Sequence, residues 1–339
     1  MANDSKPQRV FSGMQPSGEA HLGNYLGALR QWVELQKSHE CFFCIVDEHA
    51  IIGEYLPNEL PQRVFDLALS FLAVGLDPDR STIFVQSDVP EHVVLAWLFN
   101  SVAPVGELER MTQFKEKSAR LESIPAGLLN YPILQTADIL LYRAQLVPVG
   151  EDQLQHLELS REIARRWNAR FGAYFPEPQP VLSPAGRILG LYGNAKMSKS
   201  LGNTVSILAE PEEIWERVRT AVTDPQRVRR TDPGRPEVCN VFSLHKLFTP
   251  PEQIPDIEGQ CREATRGCVD CKRILADQIA DSFAEVRERA LELEAHPRRV
   301  LEILDAGAER AKAEARITLD EVRHRMGMSW RDLGEGGTG

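Results

Sequence analysis

Along the first 200 residues, short apolar runs alternate with stretches whose apolar positions recur every three or four residues. The runs Val10–Met14, Cys41–Asp47, Thr82–Gln86 and Leu146–Val149 predict strands. The stretches Leu22–Gln36, Leu60–Val74, Val93–Ser101, Leu134–Arg143 and Asp152–Arg170 predict amphipathic helices. Strand–helix alternation points to βαβ units and a parallel sheet, the α/β class. Ligands of such sheets bind at the carboxyl ends of the strands. Gly13, Asp47-Glu48-His49 and Gly150-Glu151-Asp152 all fall at predicted strand ends, so they can converge on one cleft. After Gly202 the strand signal fades. Pro211-Glu212-Glu213-Ile214-Trp215 opens helical sequence with Pro and acids in its first turn, and the pattern stays helical to about residue 300. Val300–Met326 is a further amphipathic helix, and Gly334–Gly339 reads as a disordered tail.

At 339 residues the chain is too long for one ordinary core, so two domains are expected. Its 42% hydrophobic and 26% charged content is that of a water-soluble protein. There is no apolar run of the ~20 residues a membrane span needs, and no signal-peptide core at the N-terminus, so the expected location is the cytoplasm. Six cysteines there argue for reduced thiols or metal ligands over disulfides. A net charge of -10 speaks against a general nucleic-acid coat protein. Two local basic patches remain, Arg161, Arg165, Arg166 and Arg170 on one helix, and Arg227, Arg229, Arg230 and Arg235 in a loop. Solvated faces with nearby acids explain either patch equally well.

Two segments change the picture most. Lys196-Met197-Ser198-Lys199-Ser200 offers two compact ammonium groups on a short Ser-bearing loop, a point-charge clamp for polyphosphate. Pro16-Ser17-Gly18-Glu19-Ala20-His21-Leu22-Gly23-Asn24 links the first strand to the first helix. Its glycines allow close backbone approach, and a helix N-terminus favours anions. Together they suggest a nucleoside triphosphate held from two sides.

These two segments resemble the paired signatures of class I aminoacyl-tRNA synthetases, with Asn24 in the last place of the first motif. Gly13–Gly18, Gly106–Ser118, Gly150–Gln153 with Gln155-His156, and Ala221-Val222-Thr223-Asp224 resemble the bacterial tryptophanyl enzymes in particular, over residues 8 to 330. The resemblance implies a Rossmann-like (HUP-type) catalytic domain over residues 1–200, completed by the helix 300–330. A helical domain at 201–299 would contact the anticodon. It implies ATP with Mg2+, L-tryptophan and tRNA(Trp) as partners, and a homodimer. Gln15, Pro16, Ser17, Gly23, Asn24, Gly150, Glu151, Asp152, Ile188, Lys196, Met197, Ser198, Lys199 and Ser200 would form the ATP site, with Asp152 on the ribose. Activation needs no covalent enzyme intermediate, so positioning and charge should carry it. Lys196, Lys199 and Lys117 suit the departing pyrophosphate, while His21 and Asn24 can donate to phosphate oxygens. The tyrosyl enzymes share both signatures and are one rival; a regulatory or RNA-binding paralogue is the other.

Asp138 lies in an otherwise largely apolar helix, where a carboxylate is costly unless it is paired or waits for a donor. An ordinary salt-bridged Asp is the plainer reading. Indole has one N–H and no acceptor, so a buried carboxylate matches it, and the resemblance puts Asp138 at the indole-reading position. Phe11, Gly13, His49, Val147, Val149 and Gln153 would line the same pocket, and Tyr131 would meet the amino group. Gln135 stands where the family commonly has Met. As an extended triplet, Asp47-Glu48-His49 would point to alternating sides, which argues against a three-ligand metal site.

Cys239, Cys261, Cys268 and Cys271 place four thiols in the second region. Four thiolates suit a structural zinc or a [4Fe–4S] cluster. A subset of the resembled enzymes carries nearly this spacing and holds a [4Fe–4S] cluster, one residue longer between the first two. Zinc is the alternative. Cys41 and Cys44, on an apolar strand, read as core residues facing opposite sides.

Overall fold

The computed structural model describes residues 7–183, 188–193 and 195–329, without the side chain of Ser200. The expected tail at Gly334–Gly339 lies outside the described residues. Five parallel strands form one sheet: β1 (Arg9–Met14), β2 (Glu40–Ile45), β3 (Ser81–Val85), β4 (Leu146–Val149) and β5 (Gln179–Leu182). Their order is β3-β2-β1-β4-β5, so the chain reverses direction across the sheet between β1 and β4. Such a switch point opens a crevice at the carboxyl ends of the strands. The four expected strands are present with small shifts at their ends. β5 was not anticipated, because Pro180 cannot donate to a ladder and makes its run read as loop; at the sheet edge that loss is tolerated.

Alternation along β2 builds both faces of the core. Cys41 and Phe43 point into one cluster, where Trp32 stacks on Phe43 with ring centroids 4.7 Å apart. Phe42 and Cys44 point into the other, where Phe42 stacks on Tyr142 at 4.5 Å. The two cysteines are therefore core residues on opposite faces, as the apolar strand predicts.

Three expected elements differ in detail. The first helix runs Leu22–Asn24, widens to a π-helical stretch at Tyr25–Leu29, and continues as Arg30–Leu35. The Asp138 helix begins earlier than expected and spans Ala126–Leu141, with Pro132 inside it; Pro reads as a break in sequence, yet the turn is held here by the Thr136 hydroxyl on the Pro132 carbonyl at 2.8 Å. Asp47, Glu48 and His49 are not extended. They form a short helix, Asp47–Ala50, which buries His49.

Beyond the sheet, the C-terminal region is helical: Pro211–Val218, Asn240–Phe248, Ile254–Arg262, Cys268–Ser282 and Ala284–Glu294. The long helix Pro297–Arg325 then returns to the sheet and covers the β3 edge. A Cβ on Gly307 would land on the Ile83 carbonyl, so only glycine lets the helix backbone lie this close to the strand. Arg310 donates to the Pro78 and Ser81 carbonyls at 2.8 and 3.1 Å, capping acceptors beside that edge. No described helix is long and apolar enough to cross a membrane.

Candidate active site

The crevice is built from the ends of β1, β2 and β4. Past β1, the chain turns through Gln15–Ser17 into the first helix, and His21 caps it. His21 Nδ1 accepts from the Gly23 and Asn24 amides at 3.1 and 3.3 Å, while Asn24 Oδ1 accepts from the His21 amide at 3.1 Å. This reciprocal box satisfies the helix start and leaves each side chain a spare donor, Nε2–H on His21 and the Asn24 amide. Burial, followed by the charges of Lys199 and Lys196, pushes the His21 pKa down to about 4. The ring is therefore neutral at pH 7 and donates without carrying charge.

The lysine loop packs onto the same helix start. The segment after it runs antiparallel to the residues around His21, with an isolated bridge between His21 and Ser206, Leu22 donating to Val205 and Ile207 to Ala20. Lys199 Nζ donates to the Ser17 carbonyl at 2.8 Å. Burial lowers the Lys199 pKa, partly countered by Glu19 and Asp66. Lys199 and His21 border a cavity of about 340 Å³, also lined by Arg63, Asp66, Thr204 and Ser206. Lys196 reaches the other way, to Asp152 Oδ1 at 3.3 Å. Burial opposes the Asp152 charge, but Gln153 and Lys196 outweigh it and hold the carboxyl below its usual range. Ile188 is buried at the loop's root, where its carbonyl takes the Met197 amide at 3.1 Å.

On the other side of the crevice lies Asp138, only 2% exposed. Its Oδ1 accepts from Gln86 Nε2 and His92 Nδ1, each at 2.7 Å, and its Oδ2 meets His49 Nε2 at 2.8 Å. Burial would raise its pKa, but His49 and His92 outweigh that and bring it to about 2. A carboxylate accepts about four hydrogen bonds. Three are filled by described residues, so one acceptor lobe remains, on Oδ2 beside His49. The expected pairing is thus richer than a lone helix Asp, and His49 is a direct partner of Asp138 as well as a wall. Sequence reading missed Gln86, His92 and Tyr142, whose hydroxyl meets His92 Nε2 at 2.8 Å. The signal for Gln86 was its place at the end of a strand aimed at the crevice.

Around Asp138, Phe11 stacks on Tyr142 and Val147 is buried in the same cluster, with Val149 packed against it. Tyr131 packs edge-on to His49, and its hydroxyl bonds His156 Nε2 at 2.7 Å. Burial pushes the Tyr131 pKa up to about 12. Gln135 donates to Gln153, and Gln153 to Asp152, so a polar chain runs from this side to Lys196. Lys117 stands over the Tyr131 ring at 5.5 Å.

The basic helix patch is largely neutralised. Arg161, Arg165 and Arg166 are paired with Glu158, Glu162, Glu177 and Glu107. In the loop patch, Arg235 clamps Asp224 with contacts of 2.6 and 3.1 Å. Arg229 and Arg230 stay at the surface, Arg230 3.9 Å from Asp270.

The four cysteines of the helical region face one another loosely. Cys239 precedes one helix, Cys261 nearly ends another, and Cys268 and Cys271 occupy the first turn of a third. Burial, followed by Cys239 and Cys261, pushes the Cys271 thiol up to about 12, and Cys239 and Cys268 add to the burial that raises Cys261. Cys271 Sγ also contacts His245 Nε2 at 3.3 Å, and Cys261 Sγ accepts from Arg227 at 3.6 Å. Among the described residues no three His, Cys, Asp or Glu side chains are grouped closely enough to hold a metal ion. The expected ligand set is therefore gathered in one region but not closed.

A parallel sheet with its switch point, a capped helix start and a docked two-lysine loop define a nucleotide-binding core of the class I synthetase type. Residues 3–284 match the family of class I tRNA synthetases for tryptophan and tyrosine, and the chain belongs to that family. It is 51% identical over 324 residues to a tryptophan–tRNA ligase of Deinococcus radiodurans, covering 94% of this chain and 98% of that one. It is 44% identical over 331 residues to that of Caldanaerobacter subterraneus, covering 96% and 100%. A Campylobacter jejuni tryptophanyl-tRNA synthetase, solved with ADP and tryptophan, matches with a TM-score of 0.85 at 35% identity, over 94% of this chain and 99% of that one. Within the family the chain sits with the bacterial tryptophanyl-tRNA synthetases.

Proposed function

We propose that this protein joins L-tryptophan to tRNA(Trp) in two steps. In the first, a carboxylate oxygen of tryptophan attacks the α-phosphorus of ATP; the new O–P bond forms as the bond to the bridging oxygen breaks, releasing pyrophosphate. In the second, a terminal ribose hydroxyl of the tRNA attacks the acyl carbon, loses its proton and expels AMP. The observation that carries this reading is the docking of the lysine loop on the His21 helix start, across the crevice from a buried carboxylate with one free acceptor lobe.

The neutral His21 and the Asn24 amide donate to phosphate oxygens near the attacked phosphorus. Lys196 and Lys199 exchange Asp152 and the Ser17 carbonyl for the leaving pyrophosphate, and Asp152, once released, takes the ribose. Electrostatic assistance of this kind is fixed in advance by the fold and adds little reorganisation. Mg2+ supplies further charge neutralisation at the phosphates when bound. The remaining residues of the loop and of the Gly150 turn, with Gln15–Ser17, Gly23 and Ile188, shape the nucleotide site. Asp138 reads the indole N–H on Oδ2, within walls of Phe11, Gly13, His49, Val147, Val149 and Gln153. Tyr131 receives the amino group, and Lys117 faces the departing pyrophosphate from the side opposite Lys196 and Lys199. The test is tryptophan-dependent ATP–pyrophosphate exchange: activity with tryptophan is expected, and exchange with tyrosine alone, or none, overturns the reading.

The same proposal divides the chain into a catalytic unit at 1–200, completed by the helix 300–330, and a helical unit at 201–299 that meets the anticodon. It places two copies together as a homodimer in the cytoplasm. Arg170, Arg229 and Arg230 are better tRNA contacts than the Glu-paired arginines at 161–166. Cys239, Cys261, Cys268 and Cys271 are proposed to hold a metal centre, a [4Fe–4S] cluster with structural zinc as the alternative. What supports this is the mutual influence of four thiols in a chain with six cysteines; thiolates are soft donors suited to either centre. The centre would tie three helix ends together. Anaerobic purification should yield iron and sulfide in equal amounts. Stoichiometric zinc without sulfide moves the assignment to zinc, and neither metal removes the centre.

A further inference from the structure

The lysine loop is held by more than its contacts with the nucleotide side. Its backbone folds into a compact turn, with Gly190 donating to Ala195 and Leu191 to Asn203. Asn203, 1% exposed, braces it from inside: Oδ1 accepts from the Ser198 amide at 2.8 Å, and Nδ2 donates to the Lys196 carbonyl at 3.3 Å. A Cβ on Gly190 would collide with the Asn203 amide, so glycine is required there. The Gly190 carbonyl takes the Gly193 amide and, from outside the loop, the buried Nδ2 of Asn240 at 2.9 Å. Asn240 is the first residue of the helix Asn240–Phe248, whose Val241, Phe242 and Leu244 anchor it in the core. Two further struts come from the C-terminal region, the Val222 amide on the Leu191 carbonyl at 2.8 Å and the Arg217 guanidinium on the Gly202 carbonyl at 3.3 Å.

We infer that Asn240 is a positioning residue for the activation step: from the helical region it sets the root of the loop, and so where Lys196 and Lys199 stand. It touches neither phosphate nor tryptophan. The lysine side chains themselves are held by groups that the reaction must release, the Lys196–Asp152 pair and the Lys199 bond to Ser17, while backbone bonds at Leu22, Ile207 and Val222 hold the flanks of the loop. Gly190 to Asn240 is a bond that substrates leave in place, so it keeps the turn registered while the lysines change partners. Removing the donor leaves a buried carbonyl with one partner fewer, a loss that ordinarily shifts an equilibrium by about tenfold. The inference rests on the loop serving ATP, as proposed above.

Asn240→Asp keeps the shape and removes the donor; Asn240→Ala removes both. In ATP–pyrophosphate exchange both should raise the KM for ATP about tenfold, with the KM for tryptophan unchanged. Hydrogen exchange of amides 196–203 in the intact protein should quicken while β1 and β2 stay protected. If neither variant folds by circular dichroism, Asn240→Ser, which shortens the reach, reads the same quantities. An unchanged KM for ATP in a folded variant overturns the inference, as does a parallel rise in both KM values with general loss of protection, since that marks mere destabilisation. Absence of exchange activity in the unmodified protein overturns instead the activation reading on which it rests.

Discussion

Asp138 shows how one side chain can be both structural and selective. Its charge is buried and made tolerable by two histidines and a glutamine, and the arrangement leaves one acceptor lobe unfilled. A buried acceptor left unpaired costs about 1–3 kcal/mol, so a ligand bringing one N–H is preferred over one that brings none. The tryptophan analogue with sulfur in place of the indole N–H should be activated about a hundredfold less efficiently than tryptophan. Asp138→Asn should narrow that gap in exchange assays. A variant that retains full discrimination removes Asp138 from the role.

At the scale of elements, the long helix Pro297–Arg325 is the part whose sequence says least about its purpose. Its apolar stripe predicts burial but not against what; Gly307 and Arg310 decide that, by fitting the β3 backbone and its open carbonyls. Gly307→Ala should push the helix off the strand and cost about 3 kcal/mol, since overpacking cannot relax into backbone. Urea unfolding would register it, and an unchanged midpoint would mean the helix docks more loosely than the structure has it.

For the whole molecule, buried titratable groups set the response to acid. His21 and His156 have pKa values pushed down to about 4, in each case chiefly by burial. Unfolded, both would titrate near 6.5, as ordinary histidines do. Between those values the unfolded chain binds more protons than the folded one, so stability falls as pH drops from about 6.5 to 4. Asp138, held at about 2, adds its loss only below about pH 4, as the pH approaches its folded value. The urea midpoint should therefore decline steadily from pH 7 to pH 4.5, by on the order of 5 kcal/mol in stability for the two rings together. A midpoint flat across that range would contradict neutral, buried rings at both positions.

The sequence by itself determined the parallel sheet, because continuous apolar runs and amphipathic helices admit few other packings. It also determined the two motif segments, whose glycines, lysines and helix start are local properties readable over a few residues. Only the tertiary structure decided what surrounds them. Gln86 and His92 meet Asp138 from 52 and 46 positions away, and Tyr142, four positions after Asp138, acts through His92. Asn240 reaches Gly190 across 50 positions. β5 and the full Asp138 helix hid behind Pro180 and Pro132, whose local preferences the packing overrode. Hydrophobic periodicity acts over one element and survives in the sequence. Hydrogen bonds between distant side chains depend on how elements are laid together, and no local pattern records that.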